Sequence, residues 1–211
     1  MKPIISIIAA IGKNRELGKH VGEDKNSGVG DVLLWDIPED AKHYRDMTRW
    51  HANIMGRKTF ESLSEYFHGP PPKRINIVVT RDPGYNPDLI IDKYKEYWKE
   101  KGDSPLANIQ RTSYTFTDMK EAVEAAKKEE VKLREQRQDG LSPEVFVVGG
   151  AQAFKLALPF ADRLYLTFVD GEFPDADAFF PEFPEFKKVI STKNSSGNGF
   201  NYSFKILKRE K

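Results

Sequence analysis

Residues 35–40, Trp-Asp-Ile-Pro-Glu-Asp, bring three carboxylates together with an aromatic ring and a proline, directly after the apolar run 32–34. Pro38 suits the first turn of a helix, and Asp36 is a plausible N-cap with Glu39 three residues on. Acids in a first turn usually complement the helix dipole. One of the three could instead serve a reaction, and the helical period separates it from the others.

The apolar face of this predicted helix carries Ile37, Ala41, Tyr44 and Met47 or Thr48. Asp40 follows Ile37 by three residues and precedes Tyr44 by four, so it falls on that apolar face. Glu39 falls on the polar side, where we expect it to face solvent and complement the dipole. An unpaired carboxylate on a buried face is costly, and no basic residue shares the face. Asp40 therefore either forms a salt bridge with another part of the core or receives the paired N–H donors of a ligand in a pocket.

A second group of residues has the composition of an anion site. Within residues 54–62, an apolar stretch is followed at a predicted helix start by Gly56, Arg57, Lys58 and Thr59. Backbone N–H groups at a helix start, together with two cations, suit a phosphate group. The same four residues also make an ordinary solvated helix start, so this motif alone leaves both interpretations open.

Paired glycines mark a third candidate position. A predicted buried strand ends at Gly149-Gly150 and continues into a helix. Such a pair lets the backbone approach a diphosphate closely, although a tight strand-to-helix turn explains it equally well. The G-x-G-x-x-G fingerprint is absent, so a standard dinucleotide fold is not supported. Thr80-Arg81 adds a hydroxyl and a cation after another strand. Together these anion-binding features at the ends of strands and the starts of helices suggest a phosphorylated cofactor bound across the edge of a sheet.

The elements that must position these residues alternate along the chain. Short apolar runs rich in β-branched residues predict strands at residues 4–11, 75–80, 144–149 and 164–169, and helical patterns lie between them. Residues 187–193 and 202–208 predict an antiparallel hairpin joined by a long loop over 194–199. A helix over about 118–138 should pack through its first half and extend a solvated far end. We expect a single α/β domain with a mixed, mostly parallel central sheet.

Composition sets the broad class. The 211 residues carry a net charge of +1 and no cysteine, and the four histidines lack metal-ligand spacing. A balanced charge gives no support for nucleic-acid or membrane binding, and no cysteine means no disulfide, zinc-thiolate site or thiol nucleophile. No run approaches the length of a membrane span and no signal peptide is recognisable, so we expect a cytoplasmic protein. Residues 19–33 and 84–112 resemble insertions.

Read together and in order, these residues resemble the dihydrofolate reductase family. The stretches that carry the resemblance are residues 7–10, 17–18, 34–40, 55–62, 148–151, 164–167 and 175–181. Met-Gly-Arg-Lys-Thr-Phe-Glu-Ser at 55–62 is the most specific of them. Apart from the two insertions, the resemblance covers residues 3–83 and 113–208. It implies an enzyme that reduces 7,8-dihydrofolate by hydride transfer from NADPH to C6, with protonation at N5, in support of one-carbon metabolism. We expect the chain to act as a monomer, although its sequence carries no signal of quaternary state.

The resemblance also implies roles for individual residues. Asp40 would bind the pterin, Trp35 would hold an ordered water, Thr167 would brace Asp40 through its hydroxyl, and Arg74 would pair with the glutamate carboxylate of the substrate. The pterin and benzoyl ring would be enclosed by Ile8, Ala9, Ala41, Tyr44 and Leu63. The cofactor would be bound by Ala10, Leu17, Gly18, Gly56, Arg57, Lys58, Thr59, Thr80, Arg81, Val148, Gly149, Gly150, Ala151, Gln152 and Phe154.

Some residues depart from the family pattern. Phe154 stands where a tyrosine is common, and Gln152 replaces a basic or small residue, which shifts recognition of cofactor charge onto Arg57 and Arg81. The loop before Trp35 is long; it either closes over the nicotinamide or extends into solvent. A riboflavin-pathway reductase and a non-enzymatic folate- or nucleotide-binding module are the rival interpretations. The Trp-x-x-Pro-x-Asp arrangement argues against the first, and the presence of both half-sites argues against the second.

Overall fold

The computed structural model of the chain describes residues 2–20, 31–101 and 113–210. Its strands are β1 (Ile4–Ile11), β2 (Glu16–His20), β3 (Asp31–Val32), β4 (Ala52–Gly56), β5 (Ile75–Val79), β6 (Ser113–Phe116), β7 (Glu144–Gly149), β8 (Arg163–Val169), β9 (Ala178–Phe179), β10 (Lys188–Gly197) and β11 (Phe200–Lys208). Its α-helices are α1 (Pro38–Thr48), α2 (Arg57–Phe67), α3 (Asp88–Lys101), α4 (Met119–Arg137) and α5 (Ala151–Ala157), and a 3-10 helix spans Leu158–Phe160.

Eight strands form one mixed sheet, as the alternating pattern predicts. Their order is β10-β11-β8-β1-β7-β4-β5-β6. The pairs from β8 to β6 are parallel, whereas β11 runs antiparallel to both β8 and β10. β1 and β7 are buried along most of their length, because continuous β-branched apolar residues suit a strand covered on both faces. Within the described residues, no helix is both long and apolar enough to cross a bilayer.

The parallel strands deliver the candidate residues to one edge of the sheet. Gly56 ends β4 and Gly149 ends β7, and these two strands are neighbours. Carboxyl ends of parallel strands are where open α/β sheets bind ligands. A small second sheet, β3-β2-β9, brings Leu17 and Gly18 beside that edge. Residues 21–30, which hold most of the predicted lid loop, lie outside the described residues.

The C-terminal hairpin is tighter than predicted. β10 continues to Gly197 and β11 starts at Phe200, so the connection is a two-residue turn rather than a long loop over 194–199. Asn198 and Gly199 have φ values of 50° and 82°. Asn-Gly is the preferred pair for such a turn because both residues tolerate a left-handed backbone. The polar residues before it belong to an edge strand that faces solvent.

Helix α4 also differs from its prediction at the far end. Asp118 caps the helix by accepting a hydrogen bond from the N–H of Glu121 at 3.0 Å. Glu130, in the half of the helix predicted to be solvated, is fully buried. The apolar pattern weakens in the second half of α4, but this does not mean that the half is solvated. A charged side chain can be buried where the core supplies hydrogen-bond partners for it. Those partners lie at the amino ends of β4 and β7.

Two smaller expectations concern α1 and the segment 84–112. Ile37, not Asp36, is the N-cap of α1, and no side chain caps this helix, although Pro38 occupies its first turn as expected.

Within the segment 84–112, α3 is attached to α2 by an ion pair between Lys93 and Glu65. Residues 102–112 lie outside the described part of the chain, so their predicted surface role stays untested.

Candidate active site

A cleft of about 520 Å³ opens at the carboxyl edge of the sheet, between α1, α2 and the start of α5. Its lining is mainly apolar and includes many residues that the sequence singled out. These are Ile8, Ala9, Ala10, Leu17, Gly18, Trp35, Asp40, Ala41, Tyr44, Thr59, Leu63, Val148, Gly149, Gly150, Ala151 and Phe154. Residues more than 100 positions apart in the chain are therefore gathered in one cavity of a size that suits a cofactor and a small substrate.

Asp40 is the carboxylate of this cleft. The hydroxyl of Thr167, on β8, donates a hydrogen bond of 2.6 Å to its Oδ1. Among the described residues, no lysine or arginine pairs with Asp40, so the core salt bridge left open by the helical pattern is not seen. Burial raises the pKa of Asp40, and the hydrogen bond from Thr167 opposes that rise. The structure therefore presents an acid whose second oxygen is available to a ligand.

The raised pKa of Asp40 predicts a stability effect. The folded protein binds the proton of this carboxyl more tightly than the unfolded chain does. The protein therefore loses stability as pH rises from 3.8, the ordinary pKa of the group, through its raised pKa in the folded state. Asp40→Asn removes that loss while keeping an acceptor for Thr167. We expect Asp40→Asn to have a higher Tm than the wild type at neutral pH, with the difference shrinking toward pH 4.

Calorimetry at the two pH values checks this prediction. Asp46→Asn is the matched control, because the pKa of the Asp46 carboxyl is lowered by its hydrogen bond from Lys42 and its removal should not raise Tm. Equal Tm values for Asp40→Asn and the wild type at neutral pH would show that burial carries no cost at Asp40.

Trp35 forms the wall next to Asp40. Its ring is buried and lies 4.9 Å from the ring of Phe173. Its Nε1–H is buried and finds no acceptor among the described residues. Buried N–H donors are nearly always satisfied, so this one is suited to a water or a ligand atom in the cleft.

The end of the cleft beyond Asp40 is aromatic and carries one cation that the sequence analysis missed. Tyr66, Phe67 and Arg45 line it together with Leu63. Tyr66 and Phe67 follow Leu63 by three and four residues in α2, so helical spacing alone would have placed them on the same face. The other lining residues not predicted as site residues are Leu33, Asp36, Ile37, Ser62 and Ala178.

Arg74 lies outside the residues that line the cleft. It is buried, and its Nε and Nη2 donate to the hydroxyl of Thr48 at 3.1 and 3.0 Å, while Nη1 donates to the carbonyl of Pro72 at 2.8 Å. The guanidinium stacks behind Tyr44, 5.6 Å from its ring centroid. Burial lowers the pKa of Arg74. Most of its donors are thus committed inside the protein.

The opposite end of the cleft has room for a backbone-bound group but not for extra side chains. A Cβ added to Gly149, whose φ is +138°, would lie 3.2 Å from Cγ2 of Thr59. A Cβ added to Gly150 would lie 3.2 Å from the hydroxyl of Thr59. Helix α2 begins here with Gly56 as N-cap and no side-chain cap, so its first N–H groups are not used by a capping side chain. This arrangement fits a diphosphate.

The remaining predicted cofactor residues flank the cleft without lining it. Gly56 pairs with Val79 across β4 and β5, which brings Arg57 and Lys58 near Thr80 and Arg81. Arg57 and Lys58 are exposed at the start of α2, as is Arg81 after β5, and Gln152 is exposed on α5. The hydroxyl of the buried Thr80 accepts a hydrogen bond of 3.2 Å from the N–H of Asp82.

Arg57 has two neighbours near this group of cations. Its Nη1 lies 3.9 Å from a carboxylate oxygen of Glu61, one helical turn on. Its guanidinium also lies 5.8 Å from the ring of Tyr85, a contact that no sequence pattern indicated. Arg57 is thus oriented from both sides while it stays exposed to solvent.

Comparisons with known proteins agree with this geometry. The family profile described as dihydrofolate reductase matches residues 4–105 and 104–210. Dihydrofolate reductase of Bacillus subtilis (strain 168) is 31% identical over 210 residues, which cover 99% of this chain and 95% of that protein. Dihydrofolate reductase type 3 of Salmonella typhimurium is 28% identical over 180 residues, 85% of this chain and 80% of that protein.

A solved structure shares the fold. It is dihydrofolate reductase from Enterococcus faecalis complexed with NADP(H) and RAB-propyl, with a TM-score of 0.66 and 20% sequence identity, covering 99% of this chain and 97% of that chain. The likeness extends over the whole mixed sheet and its flanking helices.

Proposed function

This chain belongs to the dihydrofolate reductase family, and on that premise we propose that the Asp40 cleft is where it reduces 7,8-dihydrofolate to 5,6,7,8-tetrahydrofolate with NADPH. One observation carries the assignment of the site. A half-buried carboxylate, with a single hydrogen bond and no cation partner among the described residues, lines an apolar cleft. Such an acid needs the N–H donors of a ligand.

Substrate recognition follows from the position of Asp40. The 2-amino group and N3–H of the pterin present two parallel donors, which match the two oxygens of one carboxylate. Thr167 fixes Oδ1 from behind and so sets the plane of the carboxylate. Ile8, Tyr44 and Leu63 supply apolar surface on either side, which excludes water and strengthens these charge-assisted bonds.

The proton that N5 gains needs a separate route. Asp40 is better placed to stabilise the polarised pterin than to donate directly, because its oxygens are occupied by the pterin N–H groups and by Thr167. We assign delivery to a water held at the unpartnered Nε1–H of Trp35, which can orient that water from the wall of the cleft.

The cofactor residues fit NADPH. When bound, NADPH supplies the two electrons and the hydrogen that C6 gains. Gly149, Gly150 and Ala151 would hold its diphosphate, since a side chain at either glycine would meet Thr59. Gln152 would join them at the diphosphate, and Arg57, Lys58, Thr80 and Arg81 would surround the adenosine ribose and its 2′-phosphate. Phe154, buried against Phe180 at 5.1 Å, would form the wall beside the nicotinamide.

Arg81 predicts cofactor preference. It is exposed and forms no ion pair with the described residues, so its charge is available to a 2′-phosphate. We expect Arg81→Ala to weaken NADPH binding about tenfold and NADH binding less than about twofold, since a charge-assisted hydrogen bond contributes about 1.5–3 kcal/mol. Apparent affinities for the two cofactors, measured by fluorescence titration, check this.

Lys58→Ala is the companion variant for Arg81→Ala, because Lys58 is the other exposed cation of this group that forms no ion pair with a described residue. An equal loss of NADPH and NADH affinity in Arg81→Ala would remove Arg81 from the phosphate site.

A binding module without catalysis is the alternative that an assay separates directly. The chain with NADPH and dihydrofolate should show steady loss of the near-ultraviolet absorbance of NADPH, dependent on both ligands. Binding of both ligands without that loss would favour the module.

We also propose that the chain acts in the cytoplasm as a monomer and as one reductase domain, in which residues 19–33 and 84–112 are extensions. In support, the residues named for the cleft all come from one chain, and one sheet takes strands from both ends of the sequence. Light scattering would test the monomer, since a dimeric mass would contradict it.

A further inference from the structure

Helix α1 carries two consecutive carboxylates that face in different directions. Successive residues of an α-helix are about 100° apart around its axis, so Glu39 and Asp40 cannot face the same surface. Asp40 faces the cleft, and Glu39 faces the hairpin formed by β10 and β11. This corrects the expectation that Glu39 simply faces solvent. The start of α1 also lacks a side-chain cap, so contacts from elsewhere must fix it.

The hairpin presents three donors to Glu39 from one face. Lys193 and Ser195 are two residues apart on β10 and therefore project to the same side. Tyr202 on β11 lies directly opposite Ser195 in the strand register. Lys193 Nζ and the hydroxyls of Ser195 and Tyr202 lie 2.7, 2.6 and 2.7 Å from the Glu39 carboxylate.

The charge of Glu39 is stable in this environment. The hydrogen bond from Lys193, followed by those from Ser195 and Tyr202, lowers the pKa of the Glu39 carboxyl to about 2. Three donors on one carboxylate define its position far better than the single exposed ion pair of Lys193 would. Glu39 therefore keeps its negative charge, and with it these three hydrogen bonds, at neutral pH.

Two further contacts join the same helix to the same hairpin. One turn after Glu39, the ring of His43 lies 4.6 Å from the ring of Phe204, which is opposite Lys193 in the register. Before the helix, the side-chain amide of Asn198 donates a hydrogen bond of 3.2 Å to the carbonyl of Asp36. Contacts therefore run along the α1 side that faces the hairpin.

We propose that Glu39 is a positioning residue that acts through Asp40: the hairpin face made by Lys193, Ser195 and Tyr202 fixes the rotation of α1 about its axis and so directs Asp40 into the cleft. This inference rests on the role of Asp40 proposed above. A side-chain carboxylate lies about 5–6 Å from the helix axis, so a rotation of about 10° displaces it by about 1 Å. A displacement of that size can cost about 100-fold in rate.

A double-mutant cycle tests the inference. Glu39→Gln and Tyr202→Phe, which removes one hydroxyl and keeps the ring, are each made in the wild type and in Asp40→Asn. We expect each to lower kcat/KM for dihydrofolate, Glu39→Gln about tenfold and Tyr202→Phe less, in the wild-type background. In the Asp40→Asn background the loss should fall below about twofold, because residues that act through one another are not additive.

The readouts distinguish positioning from general stability. The Kd for NADPH should stay within about twofold in every variant. Asp46→Asn, on the same face of the helix but paired with Lys42 instead of with the three hairpin donors, should leave kcat/KM unchanged. Equal losses in both backgrounds, or no loss in Glu39→Gln, would overturn the inference. Wild-type kcat/KM in Asp40→Asn alone would instead overturn the proposed role of Asp40. If Glu39→Gln does not fold, Tyr202→Phe and Ser195→Ala, each removing one hydrogen bond, decide the matter.

Discussion

Asp40→Asn is expected to lower kcat/KM for dihydrofolate by about 100-fold or more while leaving the Kd for NADPH within about twofold. Asparagine keeps the shape of the side chain and can still accept the hydrogen bond from Thr167. It loses the charge, however, and can turn an NH2 group toward the N–H donors of the pterin. The carboxylate's two charge-assisted bonds are then replaced by at most one neutral bond and one repulsive contact.

Steady-state kinetics and fluorescence titration with NADPH measure the two effects of Asp40→Asn separately. Thr167→Val is a useful companion variant, because it removes only the hydroxyl behind Asp40 and should lower kcat/KM less. An Asp40→Asn protein that loses NADPH affinity as strongly as activity would contradict the assignment, since Asp40 would then act on the fold of the whole cleft.

Glu130→Ala is expected to lower the free energy of unfolding by about 3–5 kcal/mol. Glu130 is fully buried, and its carboxylate accepts hydrogen bonds from the N–H groups of Ala52 at 2.8 Å and Glu144 at 3.3 Å. It also lies 2.9 Å from Nδ1 of His51 and 3.1 Å from Nε of Arg134. Truncation leaves two buried backbone N–H donors without their acceptor and removes one of the two carboxylates that pair with Arg134, the other being Asp139.

Urea unfolding measures the effect of Glu130→Ala as a shift of the transition midpoint. Glu124→Ala, on the same helix with an exposed ion pair to Lys127, is the control and should unfold at the wild-type midpoint. A Glu130→Ala midpoint equal to that of the control would mean that water replaces the carboxylate without loss.

Local patterns in the sequence predicted those features that depend on local spacing. β1 and β7 have the predicted bounds because a continuous apolar run leaves few alternatives for a strand. The helical period also identified Asp40 as the acid on the apolar face of α1, and three glycines marked the edge of the sheet where the cleft lies.

Features that depend on distant partners were not predictable in this way. Glu130 looks like any solvated glutamate in α4, because its acceptor role depends on Ala52, 78 residues earlier in the chain. Glu39 meets the hairpin more than 150 residues later. The contacts of Arg74 with Thr48 and Pro72 were likewise not predictable. The family resemblance implied only that Arg74 pairs with the glutamate carboxylate of the substrate, and that role stays a prediction.

Strand β4 begins at Ala52, beside Glu130, and ends at Gly56, beside the glycine turn. Its five residues keep these points about 13 Å apart, beyond the range within which substitutions commonly interfere with one another. Substitutions at the amino end of β4 should therefore change the free energy of unfolding, and substitutions at its carboxyl end should change turnover, nearly independently of each other. Stabilising substitutions near Ala52 should therefore leave kcat/KM unchanged. The added stability would allow destabilising substitutions to be tested around the cleft.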